Sequence, residues 1–274
     1  MYKYKLIATD LDGTLLNSES RLSEENRAAL CALSKKGVHL SISTGRTYSE
    51  IPEDVRACKD FRYVIYANGA VVFDREKDVK IRTCIPPAVV AQMMDIFSDY
   101  ALHITMRNDG KCYYDAKYPL SENEAYYRID PVHVKCVETY GSPMQNFDAF
   151  VRSLDLIEVF SVFFHDDAER EACRKRLLSL GCLFVASIGP TNFEIFYHTA
   201  GKDNALLRLA EYLAIPREQT MTLGDSGNDV AMTKAAGLGL ATANAQQVLL
   251  LVADGVICSN DEHVMPYVLK KYFS

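Results

Sequence analysis

The chain has 274 residues, with 36 acidic against 30 basic side chains, a formal charge of −6 at pH 7, 49% hydrophobic and 24% charged residues. At roughly 150 residues per domain this is one large domain or two modest ones, and the balance excludes a disordered, collagenous or coiled-coil chain. A net acidic chain has no basic excess for nucleic acid or anionic lipid, so neither is an expected partner; no apolar run reaches the roughly 18–20 residues of a membrane span and no secretory signal precedes the first polar residues, so a cytoplasmic location is expected.

The run from Lys5 to Asp10 is short, apolar and closed by polar residues and glycine, the pattern of a strand buried on both faces in a parallel sheet. Ser23 offers an N-cap to a helix over 24–35, which Gly37 ends. Strands follow at 38–43 and 63–67, so strands and helices alternate as in stacked βαβ units. From about residue 82 the rhythm changes. Pro86-Pro87 interrupts the chain, and strand-like segments at 102–106, 157–164 and 182–187 alternate with helical stretches, as in a separate α+β unit. A second break at Gly189-Pro190 precedes the apolar Phe193–Phe196 segment, a helix over 203–214, a strand over 220–223, a helix over about 228–236 and a strand over 238–241. The expected architecture is therefore an α/β core split into 1–82 and 193–274, with an α+β unit inserted at 83–192. The eight cysteines and six histidines are scattered without C-x-x-C or H-E-x-x-H spacing, which supports neither a disulfide framework nor a histidine-based metal site.

The chemistry gathers at strand ends. Asp10-Leu11-Asp12-Gly13-Thr14 follows the first strand, where open α/β sheets place their ligand crevice. A polar turn is the plain alternative. A calcium loop is not, because Leu15 and Arg21 stand where an EF-hand needs Gly and Glu. Two carboxylates two positions apart on a loop that Gly13 lets turn tightly can approach one centre and divide the work. Asp10 suits a nucleophile that forms an aspartyl-phosphate; Asp12 suits the acid that protonates the leaving oxygen and the base that later takes a proton from water.

Gly224-Asp225-Ser226-Gly227-Asn228-Asp229 follows a second apolar strand and adds Asp225 and Asp229, hard oxygen ligands of the kind magnesium prefers. With a phosphomonoester present, so much negative charge calls for a divalent cation. Thr44-Gly45-Arg46 closes the second strand: it reads either as a helix cap or as a hydroxyl and backbone N–H groups that hold phosphoryl oxygens, with Arg46 a candidate substrate contact. Lys202 is either a solvated lysine or the cation that neutralises Asp10 and the transferring phosphoryl group.

Taken together, these residues resemble the haloacid dehalogenase superfamily, and the plan resembles its Cof-like, type IIB branch. The family's four motifs stand in order at Asp10–Thr14, Ser43–Arg46, Lys202 and Gly224–Asp229, with softer matches at Asn68-Gly69-Ala70, Asn244-Ala245 and Ser259–Glu262. The resemblance implies a Rossmann-like parallel-sheet core with an inserted C2-type α+β cap, and magnesium-dependent hydrolysis of small phosphomonoesters, sugar phosphates foremost. It implies Asp10 as nucleophile and Asp12 as acid/base; magnesium on Asp10, the Asp12 carbonyl and Asp225, with Asp229 nearby; and Thr44, Lys202 and Asn228 on the phosphoryl group. Asp203, where the family commonly has glycine, adds a negative charge near the site. A sugar phosphomutase and a non-enzymatic binding or regulatory protein are the alternatives on the same scaffold. In the inserted unit, Arg107, Lys111, Lys117 and Arg128 interleave with tyrosines that either touch a leaving group or pack.

Overall fold

The computed structural model describes residues 2–187 and 191–274, so the Gly189-Pro190 break lies outside the described residues. In chain order the strands are β1 (Leu6–Thr9), β2 (His39–Ser43), β3 (Tyr63–Tyr66), β4 (Val71–Asp74), β5 (Val79–Arg82), β6 (Leu102–Asn108), β7 (Lys111–Asp115), β8 (Gly141–Met144), β9 (Val159–Phe164), β10 (Leu183–Ser187), β11 (Asn192–Tyr197), β12 (Thr220–Gly224), β13 (Leu238–Ala241) and β14 (Gly255–Val256). The chain divides into two compact units, one of residues up to Gly45, 51–82 and 201–274, the other of residues 46–50 and 83–200.

The first unit is built on an eight-stranded sheet in the order β14-β13-β12-β1-β2-β3-β4-β5. Its six strands from β14 to β3 run parallel, and β4 and β5 extend it by antiparallel pairing. Every residue of β1 is buried, as an apolar run between two helical layers requires. Leu6, Ala8 and Ile65 pack with Leu206 and Leu209 of the helix Lys202–Tyr212. The helix Glu24–Lys35 packs against the C-terminal helix Val264–Tyr272. The Ser23 hydroxyl accepts from the Asn26 N–H at 3.2 Å, capping the first of these helices, and Gly37 leaves it at φ +79°. Sequence periodicity did not reveal β5, whose residues are exposed or half-buried and carry no buried face to set a period of two.

The second unit is an α+β layer on a six-stranded sheet, β10-β11-β9-β6-β7-β8, antiparallel except for the β7–β8 pair. Strand alternation sends Met106, Phe160, Val162, Phe164, Phe193 and Ile195 to a core with Val90, Met93, Phe97 and Leu177 of the helices Pro87–Phe97 and Asp167–Ser179. The same alternation leaves the buried His103, Thr105, Arg107 and Ser161, with Glu194, to the opposite face. Here the structure moves an expected boundary. The Phe193–Phe196 segment, read as the return to the core at residue 193, is part of β11 and pairs with β9 and β10; the first unit resumes only at Gly201. Apolar alternation looks the same in either sheet, so the sequence could not say which one the strand joins. All eight cysteines are free thiols, and among the described residues no helix is long and apolar enough to cross a membrane.

Candidate active site

In the core sheet, β1 lies between β12 and β2, so the direction of winding reverses beside it. The carboxyl ends of β1 and β12 therefore flank a topological switch point, the natural crevice of an open α/β sheet. Asp10 leaves β1 there, its N–H bonded to Leu223 O at 2.9 Å, and Asp225 and Asp229 follow β12. Lys202, first residue of its helix, reaches the same place.

Lys202 is the hub. Its Nζ lies 2.7 Å from Asp10 Oδ1 and 2.7 Å from Asp229 Oδ1, all three side chains being buried. Burial alone would lower the lysine's pKa, but the two carboxylates override it and raise it above the ordinary range. Burial pushes Asp10 well above the usual carboxylate range, with Lys202 opposing and Asp229 reinforcing the rise. Asp225 is pushed up to about 6 by burial and by the Asp229 charge, against the Thr14 hydrogen bond.

Two glycines make this crowding possible. A β-carbon on Gly13, at φ +74°, would stand 2.5 Å from Asp225 Oδ2, and one on Gly224 would stand 2.6 Å from the Asp229 Cβ. The Thr14 hydroxyl donates to Asp225 Oδ1 at 3.1 Å. Asp229 Oδ2 accepts from the N–H groups of Asp225 and Ser226 at 3.1 and 3.2 Å. That caps the tight turn Gly227–Asp229, which is why the following helix begins at Val230 and not at the expected 228. Asn244 Nδ2 donates to Gly13 O at 2.7 Å and Asn244 Oδ1 accepts from Asn260 N at 3.0 Å, bracing the loop after Asp10 from outside.

The structure thus brings together Asp10, Lys202, Asp225 and Asp229. Asp12 is exposed on the loop, and the carboxylate group with oxygens within 4.8 Å of one another consists, among the described residues, of Asp10, Asp225 and Asp229. Thr44 is buried at the end of β2, its N–H on Ile65 O at 2.9 Å and its carbonyl accepting from Asn68 N at 3.2 Å. Gly45 is where Asn68 closes in: a β-carbon there would meet Asn68 Oδ1 at 2.9 Å. Asn228 is exposed in the turn, its Oδ1 accepting from the Ser226 hydroxyl at 2.7 Å. Arg46 belongs to the second unit and donates to Glu50 O at 2.8 Å. The charge on Asp203 acts on Arg208. Of the interleaved basic and tyrosine residues, Arg107 is buried in ion pairs and Tyr113 packs on Phe150 at 5.0 Å between ring centroids.

The donor set suits a hard divalent cation: three carboxylates converge, and Lys202 brings them a single positive charge. Sequence reasoning did not anticipate the bonds from Thr14 and Asn244, nor that Asp229 would bind Lys202. Only the G-D-x-x-x-D spacing, which returns the second carboxylate beneath the first, hinted at the last.

A family profile described as haloacid dehalogenase-like hydrolase matches residues 7–269. The chain belongs to this family. Phosphatase YwpJ of Bacillus subtilis is 31% identical to it over 285 residues, covering 97% of this chain and 99% of that protein. The 5-amino-6-(5-phospho-D-ribitylamino)uracil phosphatase YcsE of Bacillus subtilis is 31% identical over 258 residues, covering 94% and 91%. Among solved structures, a subclass IIB sugar phosphatase of the haloacid dehalogenase superfamily superposes with a TM-score of 0.78 at 21% identity over 97% of this chain and 98% of that one, a likeness of fold. This haloacid dehalogenase-like hydrolase is a phosphatase, with the parallel core sheet and separate inserted sheet of that fold.

Proposed function

We propose that this phosphatase hydrolyses small cytoplasmic phosphomonoesters, sugar and sugar-alcohol phosphates foremost, with magnesium and through an aspartyl-phosphate on Asp10. The observation that carries the proposal is the buried Lys202 bridge between Asp10 and Asp229, with Asp225 beside it, assembled from three distant stretches of chain. The ribityl phosphate ester in the name of one relative and the sugar phosphatase sharing the fold support the substrate class.

Asp10, the backbone carbonyl of Asp12 and Asp225 would hold the magnesium ion, with Asp229 anchoring Lys202 and the Asp225 loop from behind. When bound, the ion supplies positive charge to the phosphoryl oxygens and to the carboxylates crowded here. Lys202 on Oδ1 fixes the rotation of the Asp10 carboxylate and favours its ionised form. An Asp10 oxygen attacks phosphorus; the ester P–O bond breaks, and its oxygen leaves with a proton from Asp12. Asp12 then takes a proton from water, whose oxygen attacks phosphorus and breaks the acyl–phosphate bond, releasing inorganic phosphate and restoring Asp10. The Thr44 hydroxyl, the Gly45 N–H, Lys202 and Asn228 would grip the phosphoryl oxygens.

A phosphate-release screen over hexose and pentose phosphates, ribityl phosphates, nucleotides and pyridoxal phosphate, with magnesium and with chelator, tests this reading. Magnesium-dependent release, fastest from sugar or sugar-alcohol esters, is expected. Equal release with chelator present, or turnover confined to nucleotides, contradicts it.

A further inference from the structure

The turn Ala67–Gly69 joins β3 to β4 with three successive residues at positive φ: Ala67 at +51°, Asn68 at +51° and Gly69 at +88°. Left-handed backbone is disfavoured for any residue with a β-carbon, so two of them in a row persist only where their surroundings hold them. Both sides of this turn are held by elements of the candidate site, all within the first unit. On one side the Asn68 N–H donates to Thr44 O at 3.2 Å, and the Asn68 amide closes on Gly45. On the other, the Gly69 backbone presses on the start of the helix Lys202–Tyr212. A β-carbon on Gly69 would collide with Gly201 O and stand 2.9 Å from Lys202 N.

The helix grips the turn in return. Arg208, in its second turn, donates from Nη2 to Gly69 O at 2.7 Å. Leu206 and Leu209 pack with Ile65 of β3 and Val72 of β4, and the Tyr212 hydroxyl donates to Asp74 Oδ2 at 3.1 Å. The helix is thus fastened along the β3–β4 hairpin, and Lys202 is its first residue. The Lys202 side chain is buried, with Nζ at 2.7 Å from both Asp10 and Asp229. A buried stem takes up little movement of its backbone, and a misplacement of about 1 Å at a reacting centre can cost roughly a hundredfold in rate. We infer that Gly69 and Arg208 are positioning residues for Lys202: the glycine sets how closely the helix start approaches the turn, and the arginine latches it there. Neither touches substrate; they act through Lys202. The expected effect on turnover rests on the reading of Lys202 as a group that grips the phosphoryl oxygens.

Three variants test the inference: Arg208→Met, which keeps the packing of the stem and removes the donor; Arg208→Lys, which restores a donor; and Gly69→Ala, which forces the turn and the helix start apart. Crystal structures of the variants locate Lys202 Nζ. Titration calorimetry with inorganic phosphate and hydrolysis of p-nitrophenyl phosphate, both with magnesium, read the consequence. In Arg208→Met, Nζ is expected to lie beyond about 3.5 Å from Asp10 or Asp229. Phosphate affinity is expected to fall about fivefold and kcat about tenfold. Arg208→Lys is expected to recover most of both, and Gly69→Ala to displace Nζ from the other side. Retention of both 2.7 Å bonds in Arg208→Met overturns the inference whatever the melting temperature, because Arg208 would then serve the fold alone. A displaced Nζ with wild-type phosphate affinity and kcat upholds the positioning and counts instead against the phosphoryl-gripping role of Lys202.

Discussion

Lys202 and Asp229 stand 27 positions apart in the chain, yet their side chains meet at 2.7 Å in the interior. The same ammonium holds Asp10 at 2.7 Å. Removing it strands two buried carboxylates, so Lys202→Met should lose roughly 3 kcal/mol of folding stability, as breaking a buried pair does. It should also lose roughly a hundred- to thousandfold in kcat, as loss of a preorganised charge does. Urea unfolding and phosphate release measure the two effects. An unchanged urea midpoint would contradict the buried bridge.

Gly13→Ala tests the close approach of the two acidic loops. The added carbon would stand 2.5 Å from Asp225 Oδ2 on a backbone at φ +74°, a region alanine disfavours. Asp225 must then move, and magnesium affinity by titration calorimetry should fall at least about tenfold. Wild-type affinity would show that Asp225 does not need this position.

Glu50 provides a pH test in the second unit. Burial alone would raise its pKa, but Arg107 and the hydrogen bonds from Thr47 hold it below the ordinary glutamate range. Its charge therefore stabilises the fold fully above the unfolded value of roughly 4.3, and that stabilisation is lost as pH falls through the lower folded value. The stability gap between wild type and Glu50→Gln should accordingly be constant from pH 6 to about 5 and shrink below about 4. A gap that widens on acidification would contradict the depressed pKa.

Asn26 ties the loop after Asp12 to the C-terminal helix. Its Nδ2 donates to Leu15 O and its Oδ1 accepts from Met265 N, each at 3.0 Å and both buried. Asn26→Ala leaves both backbone groups unsatisfied, so a loss of about 2–4 kcal/mol in urea unfolding is expected. A change within about 0.5 kcal/mol would mean that other groups satisfy those atoms.

Much of this was legible in the sequence where local pattern and long-range structure coincide. The fully buried β1 read as a parallel strand, the Ser23 cap and Gly37 stop set the first helix, and the D-x-D-G-T and G-D-x-x-N-D clusters sat at strand ends. What was hidden depends on partners distant in the chain. Nothing in the neighbourhood of Phe193–Phe196 says which sheet it joins, so the domain boundary was misplaced. Local sequence left Lys202 open between a solvated lysine and the cation beside Asp10; it is buried between Asp10 and Asp229, although a macrodipole disfavours positive charge at a helix start. Arg107 read as one of several basic residues among tyrosines, since neither Glu50 nor Glu194 is near it in sequence.

The proposed chemistry requires that Asp10 accept the phosphoryl group. Steady-state phosphate release by Asp10→Asn at saturating magnesium and substrate is the test, because asparagine keeps the shape of the side chain while replacing one carboxylate oxygen by an amide nitrogen and removing the negative charge that makes the group a nucleophile. A fall in kcat of roughly a thousandfold or more is expected; turnover within about tenfold of the wild type would show that Asp10 is not the nucleophile.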